Sequence, residues 1–261
     1  MIEVLREEKV QAALDYIEND YQNCLYLYLN LIKYRTSSPN ITTYLDLSRD
    51  GIQAIYLCYF DCVHFYSCKP DYPASKLFEM LQTLRAKTAY MPQHWGTQLQ
   101  ERMQKEGFTC TSMDVVTAKN HLNGVANASS RIERSELEEF ADFLLTDPAY
   151  YNIYDRAVLV DQLIDRYDSG YSRYHVMRMD GEMVACYGTN AENEQIALMG
   201  GLLVSKKYRK RGYGSNMILS VWNEVLAEGK MGFAFIGNPE SMRLHRKLGC
   251  MHCATVTKFH S

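Results

Sequence analysis

The chain has 261 residues, and 28 Lys+Arg against 31 Asp+Glu give a formal charge of −3. At ~150 residues per domain this length corresponds to one large domain or two modest ones. With 47% hydrophobic and 23% charged residues, a disordered chain is excluded, and the near-neutral balance argues against a nucleic-acid binder with a broad basic face. No apolar run approaches the ~20 residues needed to span a bilayer. The opening Met1-Ile2-Glu3-Val4-Leu5-Arg6-Glu7-Glu8-Lys9 is charged and carries no signal-peptide core, so a cytoplasmic protein without nucleic-acid or membrane partners is expected. Eight cysteines are too few for a disulfide scaffold. Cys58, Cys62 and Cys68 lack zinc-ligand spacing, and Cys250-Met251-His252-Cys253 is a single CxxC; buried reduced thiols and no metal are expected.

In chain order, Ile41–Leu47 and Ile52–Tyr59 flank Arg49-Asp50-Gly51 as a hairpin. Val63–Ser67 reads as a strand, Ser75–Arg85 and His94–Lys105 as helices, and Thr111–Thr117 as a strand entered through Gly107-Phe108. Asn120–Ser130 is small, polar and nearly uncharged, which predicts a linker. Beyond it, Arg131-Ile132 starts a short strand, and Glu136–Leu145 and Asp155–Tyr167 are amphipathic helices. Tyr174–Met179 and Glu182–Tyr187 flank Asp180-Gly181, a second hairpin. Gln195–Val204 is too apolar to be half exposed. Gly214–Glu228 is a helix with Ile218, Val221, Trp222, Val225 and Leu226 on one face, and Met231–Ile236 is a buried strand. Asn238 caps a helix with Pro239 at its first position; Gly249 ends it before the strand Met251–Phe259.

The order of elements repeats. The expectation is therefore two tandem α/β (α+β) units, residues 1–122 and 123–261, each a mixed, mostly antiparallel sheet flanked by helices. An unrelated N-terminal α+β domain is the alternative.

One segment carries chemistry: Leu202-Leu203-Val204-Ser205-Lys206-Lys207-Tyr208-Arg209-Lys210-Arg211-Gly212-Tyr213-Gly214-Ser215. A buried strand runs into a basic, glycine-containing turn and then into a helix. Gly212 and Gly214 let backbone come close to a ligand. The first helical amides point outward at the positive end of the helix dipole, so the turn should bind a pyrophosphate. GxxxxGK[ST] is absent, and the third glycine of GxGxxG is missing.

Arg209-x-x-Gly212-x-Gly214 after Leu202-Leu203-Val204 resembles the [QR]-x-x-G-x-[GA] signature of the GNAT superfamily of acetyl-CoA-dependent N-acetyltransferases. Asn238-Pro239-Glu240-Ser241-Met242-Arg243-Leu244-His245-Arg246-Lys247-Leu248-Gly249-Cys250 resembles its second signature, an Asn-led helix ending in KLG. The resemblance covers about residues 131–261 and implies acetyl-CoA as co-substrate. It implies that amides at Arg211, Gly212, Tyr213, Gly214 and Ser215 hold the pyrophosphate; the side chains of Arg209, Lys210 and Arg211 add cationic charge at the rim. The stretch Leu202-Leu203-Val204 would pair with the pantetheine arm, and Asn238 would bond it. It also implies a bulge at Met199-Gly200-Gly201.

Amine acetylation needs the amine deprotonated, the thioester oxygen stabilised and the thiolate protonated. A backbone N–H near Leu202 can serve the oxygen. Where the family often carries a Tyr as acid, this chain has His245, either an acid or a helix-surface residue. Base candidates are Glu194, Glu192 and Glu182, or a water chain. Tyr151, Tyr154 and Asp155 lie where the family walls its acceptor pocket, and aromatic faces beside a carboxylate suit a cationic amine. The corresponding turn of the first half, Ser67–Ser75, has no glycine and two prolines, so that half is expected not to bind coenzyme A. The leading expectation is acetyl transfer to a primary amine by direct attack, in a monomer or homodimer. The alternatives are another acyl group, or a coenzyme-A-binding sensor without turnover.

Overall fold

The structure, a computed structural model, describes residues 1–124 and 129–261. The linker expected over Asn120–Ser130 thus lies partly outside the described residues. The chain divides into two units, Met1–Val115 with Cys253–Ser261, and Val116–His252.

The first unit contains β1 (Ile2–Val4), α1 (Val10–Ile17), α2 (Leu25–Tyr34), β2 (Ile41–Ser48), β3 (Gly51–Tyr59), β4 (Cys62–Tyr66), α3 (Ala74–Thr83), β5 (Thr88–Pro92), α4 (Gln93–Lys105) and β6 (Thr109–Ala118), whose last residues pass into the second unit. Four of these, β1, α1, α2 and β5, are additional to the elements read from sequence. The hairpin β2–β3 turns at Gly51, where φ is +101°. From β4 the chain crosses through α3 and returns as β5, parallel to β4. Trp95, Phe65, Tyr56 and Tyr72 form the centre of its core.

In the second unit come β7 (Ser130–Arg131), α5 (Leu137–Leu144), α6 (Pro148–Tyr151), α7 (Arg156–Asp168), β8 (Tyr174–Met179), β9 (Glu182–Glu192), β10 (Ile196–Val204), α8 (Tyr213–Ala227), β11 (Met231–Ile236) and α9 (Pro239–Leu248). Asp180 and Gly181 both have positive φ (53° and 86°), as an Asp-Gly hairpin turn requires. The order hairpin, strand, helix, parallel strand, helix is that of the first unit. Trp222 and Tyr187 sit in one core cluster with Met199, Met217, Val221 and Ile236. On the other side, α5 and α7 pack Phe140, Leu144, Leu159 and Leu163 against Cys186 and Leu203.

The chain closes on β12 (Met251–His260), of which Val256–His260 pair antiparallel with Pro92–Thr88 of β5. The sequence-based division at residues 122 and 123 kept this strand with the second half; from Cys253 onward it belongs to the first unit. Strand pairing is non-local, and chain order alone does not specify a strand's partner.

Candidate active site

β10 has two distinct parts. From Ile196 to Met199 it pairs in parallel with Met231 to Ala234 of β11, and the pairing stops there. On its other edge it pairs with β9 throughout, with two register shifts. At the second shift, Gly201 and Leu202 stand opposite Tyr187 alone, between the pairs Gly200–Gly188 and Leu203–Cys186. This is the bulge expected at Met199-Gly200-Gly201, lying over its second glycine and the next residue. Gly201 has φ +77°, the left-handed region that costs a side chain about 1–2 kcal/mol. At Gly200 a Cβ would lie 1.9 Å from Asn190 Nδ2, so that amide occupies the space of the missing side chain. Cys186 Sγ donates to the Gly201 carbonyl at 3.1 Å, and burial pushes its thiol pKa up.

After β10, a 3-10 turn over Lys206–Tyr208 leads to Lys210 (φ 61°) and Gly212 (φ 86°), and then to α8. Gly212 is the N-cap residue, and its first turn contains no acidic residue. The first intrahelical bond runs from Asn216 N to Gly212 O at 3.0 Å. The amides of Tyr213, Gly214 and Ser215 precede it, and among the described residues no side chain caps them. Such amides form an anion site at the helix's positive end. A Cβ on Gly212 would meet nothing within 4 Å, so the approach is open. Arg211 lies over the Tyr208 ring at 5.7 Å.

Arg209 departs from its expected place at the rim. Its Nε donates to the Val204 carbonyl (3.0 Å) and its Nη2 to Asp147 Oδ2 (2.8 Å). Its side chain is a strut between the end of β10 and the start of α6. Asn238 Oδ1 accepts from Ser241 N at 2.7 Å, the capping bond that places α9 after β11.

His245 is 1% exposed. Its ring lies within 2.8 Å of the Ser241 carbonyl through Nδ1 and 3.3 Å of the Tyr187 hydroxyl through Nε2. A carbonyl only accepts, so Nδ1 carries the proton and Tyr187 donates to Nε2. Trp222 Nε1 donates to the same hydroxyl at 3.1 Å. Burial holds the His245 pKa below its ordinary value of 6.5, opposed by the bond to Ser241. A neutral ring with Nε2 occupied as an acceptor has no proton there to give. His245 is thus buried in the core, not on the helix surface, and in this arrangement its ring presents no free N–H.

Glu194 stands apart from these residues. It is exposed in the turn before β10, while the bulge and the cradle lie at the strand's other end. At ~3.3 Å per strand residue, roughly 20 Å or more separates Glu194 from Leu202. Glu192 is buried and held by Arg173 (2.8 and 2.7 Å) and Lys230 (2.8 Å), a structural ion cluster.

On the acceptor side, the residues do not converge as a cage. Tyr151 is 65% exposed. Asp155 caps α7, accepting from Ala157 N at 2.8 Å and Val158 N at 3.4 Å. Tyr154 stacks on Tyr150 at 6.3 Å between centroids. Tyr150, in the same aromatic segment but not among the expected site residues, has its hydroxyl 3.9 Å from the Cβ position of Gly201. Its signal was Asp147-Pro148, the start of a short capped turn.

Residues 134–250 match the family model of the acetyltransferase (GNAT) family. This segment is a GNAT-family domain. The fold of the chain is similar to that of a Drosophila protein of solved structure, at TM-score 0.70 and 16% identity, covering 100% of this chain and 98% of that one. A tandem GNAT protein from the clavulanic acid biosynthesis pathway matches at TM-score 0.61 and 10% identity, covering 99% and 97%. A GNAT-family acetyltransferase from Colwellia psychrerythraea matches at TM-score 0.59 and 11% identity, covering 99% and 98%. No curated protein matches in sequence. The GNAT domain's parallel pair, β10 and β11, thus has its counterpart in β4 and β5 of the first unit. There the strand ends open on a recess of ≈ 440 Å³, lined by Asp20, Ser67, Cys68, Gln93 and His94 among others. Helix α3 follows Pro73, with no glycine turn before it. Among the described residues, no helix is long and apolar enough to cross a membrane, and no group of three or more His, Cys, Asp or Glu side chains could hold a metal ion.

Proposed function

We propose that the second unit transfers an acetyl group from acetyl-CoA to a primary amine of a small or amino-acid-like acceptor, by direct attack. The observation that carries this reading is the end of β10. The strand leaves β11 at Met199, bulges at Gly201 and runs into the uncapped amides of α8 behind Gly212. An edge of strand backbone followed by a helix N-terminus suits a pantetheine arm followed by a diphosphate. Leu202 and Val204 would accompany the arm, and Arg211 to Ser215 the diphosphate. The co-substrate supplies an activated acyl carbon. The chain supplies orientation, a backbone donor near Leu202 for developing charge, and exclusion of water. The first unit, with prolines in place of glycines at the matching turn, does not bind coenzyme A in this reading.

Burial of His245 favours a second reading, a coenzyme-A-binding sensor without turnover. Thiol release from acetyl-CoA, followed against a panel of aliphatic amines, diamines and free amino acids, separates the two. Release that depends on one acceptor class supports acetyl transfer. Heat of acetyl-CoA binding without release from any acceptor supports the sensor.

A further inference from the structure

The chain departs from its family where the thiolate would receive a proton. The residue in the usual Tyr position is His245, turned into the core with both ring nitrogens engaged. We propose that Tyr150 of α6 is the catalytic acid of this domain, an inference that rests on the acetyl-transfer reading above.

Tyr150 approaches β10 from the α5–α7 side, where its ring packs with Tyr154 against the cluster that contains Leu159 and Leu203. Its hydroxyl lies beside Gly201 of β10, 3.9 Å from the position a Cβ would occupy. Gly201 is in the bulge, one residue before Leu202 and just past the last β11-paired residue of β10. A Cβ at 201 would already touch the hydroxyl at van der Waals distance, so the glycine keeps the space beside it open.

Three contacts hold the helix that carries Tyr150. Asp147 Oδ1 accepts from Ala149 N at 3.0 Å, which caps α6. Tyr150 N donates to Asp147 O at 2.9 Å. Arg209 ties the same Asp147 to the Val204 carbonyl. The first residue of the basic turn therefore holds the helix that carries Tyr150 against the end of the strand that would carry the thioester. This accounts for an Arg209 side chain directed away from the diphosphate amides.

The amine nitrogen bonds to the acyl carbon, the carbon–sulfur bond breaks, and its electron pair goes to sulfur. The Tyr150 hydroxyl gives its proton to that sulfur. The proton released by the attacking nitrogen returns to the phenolate through water, leaving amide and free thiol. Coenzyme A is an alkyl thiol with a pKa near ~8.5, like a cysteine, so its departure gains from an acid. A much more acidic thiol leaves without one.

The test is Tyr150→Phe, compared with the unaltered protein using two donors, acetyl-CoA and 4-nitrothiophenyl acetate. Calorimetry with acetyl-CoA and thermal melting are measured alongside. The expected result is unchanged melting and acetyl-CoA affinity, with kcat lower by about 10²-fold for acetyl-CoA. For the acidic thiol donor, kcat/KM should fall by less than about fivefold. Equal losses with both donors, a loss confined to acetyl-CoA affinity, or unchanged activity would each overturn the acid role. If the unaltered protein binds no acetyl-CoA, the acetyl-transfer reading fails first and Tyr150 falls with it. If it binds and turns over while Tyr150→Phe is silent, only the present inference fails.

Discussion

Replacing His245 with Leu separates a core histidine from a catalytic one. The substitution keeps an apolar side chain of similar bulk in a site that is 1% exposed. It removes the acceptor of the Tyr187 hydroxyl, which lies in the core and, among the described residues, is otherwise bonded by Trp222 Nε1, itself a donor. A buried donor left without an acceptor costs about 1–3 kcal/mol. At ~2–4 °C per kcal/mol for a domain of this size, Tm falls by about 2–12 °C. The pH dependence has a definite sign. The His245 pKa is lowered by burial from 6.5, so the unfolded state binds the proton more readily, and stability rises with pH across the interval below 6.5. This contribution is present in full above 6.5 and is lost as the pH falls through that value toward the folded-state pKa. Melting curves at several pH values should show that acid slope in the parent protein and a shallower one in His245→Leu. Activity per folded molecule should change by less than about tenfold, whereas removal of a general acid costs 10²–10⁴-fold. A 10²-fold loss of kcat with unchanged Tm would refute this assignment.

Glu194→Gln should leave both stability and acetyl transfer within about a factor of two, because the side chain is exposed at the end of β10 remote from the bulge; a loss beyond about tenfold in kcat/KM would restore it as a base. Gly232→Ala should be destabilising by about 1–3 kcal/mol, since its Cβ would lie 2.7 Å from Trp222 Cζ3 and would push the indole off Tyr187. Chemical denaturation measures this, and an unchanged midpoint would mean that the indole has room to move.

Much of the second unit was legible in the sequence because its signals are local. Asp180-Gly181 fixed a hairpin, Asn238-Pro239 and Gly249 bracketed a helix, and Gly212 between a strand and an amphipathic helix marked a helix start. The first unit was harder to read. Leu25-Tyr26-Leu27-Tyr28-Leu29 alternates like a strand, yet it is helix α2. Leu and Tyr both tolerate burial, so when most of a helix surface is covered the pattern ceases to report the period. The site was read unevenly for a related reason. Backbone chemistry follows from glycine and from strand–helix order, both visible in sequence. Side-chain roles follow from direction: His245 turns inward, Asp155 caps a helix, and Tyr150 reaches Gly201. None of these directions is encoded by spacing alone.

The account rests on the end of β10 and the start of α8 as a diphosphate site, and titration calorimetry with acetyl-CoA tests it most directly. The matched comparison is between Gly212→Asp and Gly229→Asp. These are left-handed glycines (φ 86° and 79°) at opposite ends of α8, each with open space around its Cβ position. Both variants carry the same backbone strain and the same added charge. The account predicts binding by the parent protein and by Gly229→Asp, and at least a tenfold loss, about 1.4 kcal/mol, in Gly212→Asp, where a carboxylate faces the incoming phosphates. Equal affinity in the two variants, or no binding heat from the parent protein, would contradict it.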